Sequence, residues 1–227
     1  MTTSKLAVQT VQTAVIGVVA LGALLFIPAW TLNYWQAWLF IVVFVASTSA
    51  IGIYLALKDP ALLARRRQLG PTAEQRPVQR IVISLGILSS LAVLVFSALD
   101  HRFGWSPVPP AISVLGASIV ALGLFVDLLV FRENTFGASN VQVAEDQTVI
   151  STGPYAIVRH PMYLGVLIMV LGTPLALGSW WGLLVIAVTM PVLALRILDE
   201  EQLLRSDLPG YAAYTHDVRY RLVPFVW

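Results

Sequence analysis

The fold is determined by residues 161–196, which read PMYLGVLIMVLGTPLALGSWWGLLVIAVTMPVLALR. Two apolar stretches, 161–178 and 180–198, follow each other here with a turn of barely two residues near Gly178-Ser179. Each stretch approaches the roughly 20 residues that an α-helix needs to cross the hydrocarbon of a bilayer. Because so short a turn makes the two helices pack antiparallel, the segment predicts a transmembrane hairpin that begins and ends at the same membrane face.

Composition extends this interpretation to the whole chain. Of its 227 residues, 58% are hydrophobic and only 11% are charged, and the mean hydropathy is +0.80, which is unlike a soluble domain. Further apolar stretches at 8–28, 35–57, 79–99 and 111–131 are also long enough to span a membrane. The first offers no convincing cleavage site, so we interpret it as a helix of the mature protein. The sequence therefore predicts an all-α fold, a polytopic transmembrane helical bundle of about six membrane helices.

The distribution of positive charge predicts the orientation. If the N-terminus lies inside, all of the 14 Lys and Arg residues except Arg102 fall on the cytoplasmic side, as the positive-inside rule requires. We therefore expect both termini in the cytoplasm, a bacterial inner (plasma) membrane location, and short outer loops near 29–34, 100–110 and 178–180. The net charge of +2 then reflects membrane topology and indicates no nucleic-acid partner.

The residue types that bind metals are sparse. The chain has no cysteine, which excludes disulfides, thiolate metal sites and a thiol nucleophile. Its three histidines, His101, His160 and His216, lie far apart in sequence without ligand-like spacing. The sequence therefore predicts no bound metal.

We expect a single integrated domain with two functional halves. Residues 1–131 supply four N-terminal transmembrane helices with few polar groups, whereas residues 132–227 hold a cytoplasmic loop, the C-terminal hairpin and a tail. Alternating residues within 141–150 give a weak β-hairpin signal in the loop. After the last apolar stretch, residues 201–205 continue as a short amphipathic helix that Pro209-Gly210 ends.

The candidate functional site lies where the hairpin begins and ends, at the cytoplasmic face. Arg159 and His160 directly precede Pro161, which suits the first turn of a helix. The free N–H groups and the positive dipole end of that turn favour an anion such as a carboxylate. The antiparallel hairpin returns Glu200 and Glu201 to the same level, where they can accept hydrogen bonds from hydroxyl or ammonium groups. The pairing predicts a site for a small zwitterionic ligand.

Each of these residues also has an ordinary structural interpretation. The Arg-His pair can be a positive anchor at the membrane boundary. Glu200 can pair with Arg196, and Glu201 with Arg205, at the i,i+4 spacing of a helix. Their joint placement at matched depth on one hairpin is what favours a binding site.

Three further polar features have two interpretations each. Asp127 interrupts an apolar helix and is by default a functional-site hypothesis, but snorkelling to the cytoplasmic end or pairing with Arg132 explains it equally well. Asn134 can position a substrate nucleophile from the loop, or it can be a turn or capping residue. The run Arg65-Arg-Arg67 can recruit anionic headgroups, although positive-inside topology already explains it.

A family resemblance follows from these motifs. The run Arg159-His-Pro-Met-Tyr-Leu-Gly165, the pair Glu200-Glu201 and an aromatic tail with arginines resemble the signature of integral membrane methyltransferases of the isoprenylcysteine carboxyl methyltransferase and phospholipid methyltransferase group. The resemblance covers roughly residues 130–227 and says little about the substrate. It implies S-adenosylmethionine as the cofactor, bound at the cytoplasmic membrane face. The positions that it implies for binding or shaping the cofactor site are Arg159, His160, Tyr163, Gly165, Glu200 and Glu201.

The resemblance also implies a reaction. A methyl group would pass in line from the sulfonium to a carboxylate or amine of a lipophilic or amphiphilic acceptor that enters from the bilayer, so membrane lipids are expected partners. Such a transfer needs no metal and depends mainly on alignment and on exclusion of water. Candidate catalytic residues are Arg219, Tyr214 and Asn134, with Tyr211 as a further lid residue. Anchoring at the membrane surface is the alternative for the residues of the tail.

Two other functions are compatible with parts of the pattern. A membrane reductase that resembles the sterol reductases would share the hairpin and much of the C-terminal pattern but use NADPH. Pro161 after the Arg-His pair, and the lack of a lysine in Leu208-Pro-Gly-Tyr211, favour the methyltransferase. A transporter or a non-enzymatic scaffold is the alternative of a different class. Transporters place polar groups near the bilayer midplane, whereas the charges here gather at one face.

Overall fold

The computed structural model describes residues 3–66, 76–136 and 147–227, with side chains from residue 15 onward. Within these ranges the backbone is mainly helical and forms no strand, which confirms the all-α prediction. The elements in chain order are α1 (Thr3–Ala29), α2 (Trp35–Lys58), α3 (Pro60–Arg66), α4 (Pro77–Phe103), α5 (Pro110–Glu133), a 3-10 turn (Gly153–Ala156), α6 (Pro161–Ala176), α7 (Trp181–Asp207) and α8 (Tyr211–Asp217).

Six of these helices correspond to the six apolar stretches that the sequence predicts, although α6 ends two residues before its stretch and α7 begins one residue after the start of its own. The helices α2, α4, α5 and α7 are long and apolar enough to cross a membrane, and Val15–Ala29 of α1 and the whole of α6 are shorter apolar helices. At 1.5 Å per residue, the 16 residues of α6 rise about 24 Å, which is less than the roughly 30 Å of bilayer hydrocarbon. The protein is an integral membrane protein, and its fold is a polytopic helical bundle.

The last membrane helix continues into the amphipathic segment that the sequence predicts. Residues 201–205 are helical as expected, and α7 runs without a break to Asp207, because residues 199–207 contain no glycine or proline that would end the helix. The β-hairpin signal in the loop is not followed by a strand at 148–150, where Val149 packs beside Leu208 instead. Residues 141–143, the other half of that signal, lie outside the described residues.

Helices α5 and α6 approach each other very closely. A Cβ atom at Gly123 of α5 would lie 2.5 Å from the carbonyl oxygen of Gly165 on α6. A Cβ atom at Gly165 would lie 2.3 Å from Oδ1 of Asp127 on α5. Small residues permit such contact between membrane helices, whose association rests on close packing rather than on hydrophobic burial. The contact fixes the start of α6 beside the end of α5, where the candidate site lies.

A buried polar cluster joins several segments at the other end of the bundle. The side chain of Asp100 is buried, and its Oδ2 accepts hydrogen bonds from the hydroxyls of Ser106 at 2.6 Å and Ser179 at 2.5 Å. The sequence placed Asp100 and His101 in an outer loop, and the structure corrects this, because α4 extends to Phe103. The cluster therefore ties the end of α4 to the short connection between α6 and α7.

Candidate active site

A pocket, here called the α6–α7 pocket, lies at the end of the bundle where α6 begins. The first turn of α6 forms one side, and α7, α8, the segment 147–150 and the end of α5 complete it. His160 and Glu200 line the same cavity, so the hairpin does return its acidic end to the level of its basic start. The lining residues are Asn134, Phe136, Gln147, Thr148, Val149, Ile150, Tyr155, Arg159, His160, Pro161, Met162, Tyr163, Glu200, Leu204, Leu208, Tyr211 and Tyr214.

Glu201 is buried at the junction of α6, α7 and the tail. Its side chain is only 4% exposed, and its Oε1 lies 2.7 Å from Nε of Arg159. Its Oε2 lies 3.0 Å from Nε of Arg221 and 3.9 Å from Nη2 of Arg205. Charge-assisted hydrogen bonds of this kind are among the stronger ones in proteins. Glu201 thus joins three arginines and is not among the residues that line the pocket.

Arg159 attaches the tail to the start of α6. Its Nη1 donates hydrogen bonds to the carbonyl oxygens of Val218 at 3.0 Å and Arg219 at 2.9 Å. Its backbone N–H donates to the carbonyl of Tyr220 at 2.9 Å, and the N–H of His160 donates to Arg221 at 2.9 Å. These contacts hold the tail alongside the residues that open α6.

Glu200 is the carboxylate of the pair that faces the pocket. Its Oε2 accepts a hydrogen bond of 2.5 Å from the hydroxyl of Tyr163, which is nearly buried on α6. The same hydroxyl oxygen accepts a hydrogen bond of 2.9 Å from Nε of Arg196. The ring of His160 stacks on that of Tyr163, with 5.7 Å between the centroids. The side chain of Glu200 is therefore held in place from the α6 side of the pocket.

Asn134, Tyr155 and Tyr214 are connected by hydrogen bonds along the pocket. Nδ2 of Asn134 donates to the hydroxyl of Tyr155 at 2.8 Å, and the hydroxyl of Tyr214 donates to the backbone carbonyl of Tyr155 at 2.7 Å. Burial raises the pKa of Tyr155 to about 12 and the pKa of Tyr214 well above its usual value. Both hydroxyls therefore stay protonated at neutral pH; that of Tyr214 donates its proton to the carbonyl of Tyr155, whereas that of Tyr155 accepts from Asn134 and can donate its own.

Two buried polar atoms at the pocket make no hydrogen bond with any described residue, namely the hydroxyl of Tyr211 and Nε2 of His160. Nε2 of His160 lies 3.4 Å from Oε1 of Glu201, which is within ion-pair distance. Burial, reinforced by the charges of Glu201 and Glu200, raises the pKa of Tyr211 above its usual value. Since buried polar groups normally have partners, the hydroxyl of Tyr211 is suited to contact a ligand, whereas Nε2 of His160 faces Glu201 behind the pocket.

The residues that the sequence nominated fall into two groups. Gly165 lies in the contact between α5 and α6, Glu201 lies behind the pocket, and the side chain of Arg219 is exposed while its carbonyl binds Arg159. Their roles in binding and catalysis stay predictions. The nominated residues that the structure brings together around the pocket are Asn134, Arg159, His160, Tyr163, Glu200, Tyr211 and Tyr214.

Asp127 and the arginine run lie near the pocket without lining it. Asp127 is 6% exposed and packs against Gly165, so its side chain does not snorkel to the surface. The guanidinium of Arg66 lies over the ring of Phe131 at 4.0 Å and contacts Sδ of Met162 at 3.5 Å. Arg67 lies outside the described residues.

Sequence reasoning missed the contribution of α4. Gln79 is fully buried, accepts a hydrogen bond of 2.8 Å from Nη1 of Arg196, and donates one to Oδ2 of Asp199. The sequence pattern that could have indicated this contribution is a glutamine within an otherwise apolar stretch. Its partners lie more than 100 positions later in the chain, so no local pattern identifies them.

The described histidines and acidic residues are not grouped for metal binding. No group of three or more His, Cys, Asp or Glu in 3–66, 76–136 and 147–227 could hold a metal ion. His101 stacks on Tyr34 at the end of α4, and His216 is exposed on α8. The candidate site therefore has to be understood from hydrogen bonding, charge and aromatic contacts.

Comparison with known proteins identifies relatives of the chain. The cobalt-zinc-cadmium resistance protein CzcN of Cupriavidus metallidurans is 26% identical over 157 residues, which are 68% of this chain and 66% of that protein. The chain thus spans about two thirds of the length of this curated relative. The family described as phospholipid methyltransferase matches residues 111–207, which contain α6, α7 and nearly all of α5. Over these residues the chain resembles the phospholipid methyltransferase family, which is of the isoprenylcysteine carboxyl methyltransferase type of membrane methyltransferases.

Proposed function

We propose that the protein transfers a methyl group from S-adenosylmethionine to a lipophilic or amphiphilic acceptor at the cytoplasmic face of a bacterial inner membrane. The observation that carries the proposal is the α6–α7 pocket, where His160 and Glu200 line one cavity. The family match includes both helices that form this part of the pocket. We therefore expect the methyl donor and its acceptor to bind next to each other at the end of the hairpin.

The pocket fits the chemical groups of S-adenosylmethionine. The carboxylate of the donor needs N–H groups, which the first turn of α6 offers because its amides have no acceptor within the helix. The ammonium and ribose hydroxyl groups need acceptors, and Glu200 supplies a carboxylate. Tyr155 and Tyr211 present aromatic rings of the kind that attract a cation. The hydroxyl of Tyr211, which makes no hydrogen bond with any described residue, would gain a partner from the ligand.

The residues of the chain have mainly to align the reactants. When bound, S-adenosylmethionine supplies an activated methyl group on a positively charged sulfur, so the transfer needs proximity and a dry cavity above all. The hydroxyls of Tyr155 and Tyr211 are protonated at neutral pH, so they would orient the methyl acceptor as hydrogen-bond donors and would not act as bases. Asn134 and Tyr214, on the side of the loop and tail, are the proposed contacts for the acceptor. Arg219 contributes through its carbonyl group, which Arg159 binds.

An apolar groove next to the pocket supports an acceptor with a hydrocarbon portion. The groove has a volume of about 580 Å³ and lies between α5, the 3-10 turn and α6. Val126, Leu129 and Leu164 line it, and Pro161 borders both this groove and the α6–α7 pocket. A lipophilic acceptor could thus approach from the bilayer while the donor enters from water.

The walls of the pocket have to open for the donor. The cavity measures about 110 Å³, whereas small-molecule sites usually measure about 300–1,000 Å³. The helix α8 and the segment 147–150 are the walls outside the membrane helices. We therefore propose that these two segments move outward when the donor binds.

Transfer of a labelled methyl group tests the proposal. Purified protein in mixed micelles would be incubated with methyl-labelled S-adenosylmethionine and a bacterial membrane lipid extract. We expect a labelled product that extracts into organic solvent, and a rate at least about tenfold lower in Glu200→Gln, because a hydrogen bond to a charged group is lost. Asp207→Asn, an exposed change on the same helix, is the control. A folded protein that yields no labelled product with any lipid fraction would contradict the proposal.

A further inference from the structure

A chain of polar contacts runs from α4 to the pocket behind its lining. It begins at Arg76, whose Nη2 lies 2.9 Å from Oδ1 of Asp199. It continues through the fully buried Gln79 to Arg196, and from Arg196 to the hydroxyl of Tyr163. This series of polar contacts therefore links a helix of the N-terminal half to Tyr163, which lines the pocket.

Arg196 lies at the centre of this series of polar contacts. Its Nε donates to the hydroxyl of Tyr163 at 2.9 Å and its Nη1 donates to Oε1 of Gln79 at 2.8 Å. An arginine that only marks a membrane boundary would extend to the surface, whereas this side chain contacts groups on two other helices. An ionisable residue held in this way within a membrane helix calls for a functional explanation.

The donors of Arg196 set the direction of the neighbouring hydrogen bonds. A guanidinium can only donate, so the oxygen of Tyr163 accepts from Arg196 and its single proton points to Oε2 of Glu200. By the same logic Oε1 of Gln79 is the acceptor, which leaves its amide group to donate to Asp199. One arginine therefore orients two carboxylates, and only Glu200 lines the pocket.

We propose that Arg196, supported by Gln79 of α4, is the positioning residue that holds Glu200 in place for the methyl donor through the hydroxyl of Tyr163. This inference rests on the proposed function, because methyl-donor affinity is its readout. It makes α4, which carries no recognisable motif, a part of the site. Arg196 itself does not line the pocket, so its effect on the ligand is indirect.

A double-mutant cycle on donor binding tests this inference. Dissociation constants for S-adenosylmethionine would be measured for wild type, Arg196→Lys, Tyr163→Phe and the double variant, together with the thermal midpoint of each protein. A lysine keeps the charge but loses the fork of donors. We expect each single change to weaken binding about tenfold or more, and the double change to weaken it far less than the product of the two, since members of one network are not additive.

Gln79→Leu provides a second, milder probe. We expect it to weaken donor binding in the wild-type background and to have no further effect when residue 196 is lysine. Arg205→Lys, which changes another arginine of α7 whose side chain is 50% exposed, is the matched control and should leave affinity unchanged. Two results would overturn this inference and leave the proposed function standing. One is a double variant whose loss of affinity equals the product of the two single losses, and the other is unchanged affinity in folded Arg196→Lys. Absence of donor binding by folded wild type would overturn the proposed function as well.

Discussion

At the scale of single residues, two adjacent glutamates have different surroundings. Glu200 lines the pocket and accepts a hydrogen bond from Tyr163. Glu201 is buried among Arg159, Arg205 and Arg221 and connects the tail to α6. The pair that looks like one motif in the sequence therefore combines a ligand-facing carboxylate with a structural one.

Glu201→Gln should loosen the tail. Replacing the carboxylate leaves the buried guanidinium of Arg159 without a countercharge, which typically costs about 3–5 kcal/mol. We expect trypsin to cleave after Arg219 and Arg221 at least about tenfold faster than in wild type, because cleavage follows the open population. Asp207→Asn is the control, and equal cleavage rates in wild type and Glu201→Gln would contradict the assigned role.

The sequence predicted several residues that line the α6–α7 pocket but not their partners. Arg159, His160, Tyr163 and Glu200 could be nominated because a helix start and a helix end bring them to one level. The contacts of Glu201 with Arg221, and of Arg159 with the carbonyl of Tyr220, connect segments far apart in the chain. Such contacts depend on how the tail folds back, which no local pattern encodes.

At the scale of helices, close contact between α5 and α6 positions the pocket. Gly123 and Gly165 lie where any larger residue would press one helix away from the other. Gly165 belongs to the methyltransferase-like motif, and here its lack of a side chain serves helix contact. The start of α6 is therefore placed by the packing of α5 as much as by its own sequence.

Gly123→Ala should lower the thermal midpoint of the detergent-solubilised protein. A Cβ atom there meets backbone atoms of α6 at 2.5 Å, so the helices must separate even though alanine favours helix by about 1 kcal/mol. Gly86→Ala on α4 is the matched control, because no atom lies within 4 Å of its Cβ position. A midpoint for Gly123→Ala at or above that of Gly86→Ala would disprove the packing argument.

Binding of the methyl donor should slow amide hydrogen exchange in α8 and in residues 147–150. These segments border a cavity too small for an adenosyl ligand, so they have to shift and then pack against the ligand. We expect slower amide hydrogen exchange in both segments with S-adenosylhomocysteine present, and no change in the turn between α6 and α7. Equal protection with and without a bound ligand would contradict movement of these walls.

At the scale of the whole molecule, hydropathy predicted the helical architecture well, whereas the orientation predicted from charge stays a prediction. Each of the six apolar stretches corresponds to a helix, and the short turn at Gly178-Ser179 correctly predicted the hairpin. The division into two functional halves was less informative, because Gln79 of α4 reaches the network behind the pocket. Local composition predicts where helices form. Which helices are neighbours in the bundle depends on contacts between residues that are distant in sequence.

The predicted orientation can be measured with single cysteines, since the chain has none of its own. Pro107→Cys and Ala213→Cys introduce exposed thiols at opposite ends of the bundle. With the basic end inside, a membrane-impermeant maleimide should label Pro107→Cys in right-side-out vesicles and Ala213→Cys only in inverted ones. The reverse pattern would place the pocket on the outer face.

Calorimetric titration of the purified protein with S-adenosylmethionine, S-adenosylhomocysteine and NADPH tests the central claim most directly. The α6–α7 pocket predicts that both adenosyl ligands bind, that Glu200→Gln weakens both, and that NADPH does not bind. Binding of NADPH alone would contradict the methyltransferase account and favour a reductase, and a folded protein that binds none of the three would contradict an adenosyl-dependent function for this pocket.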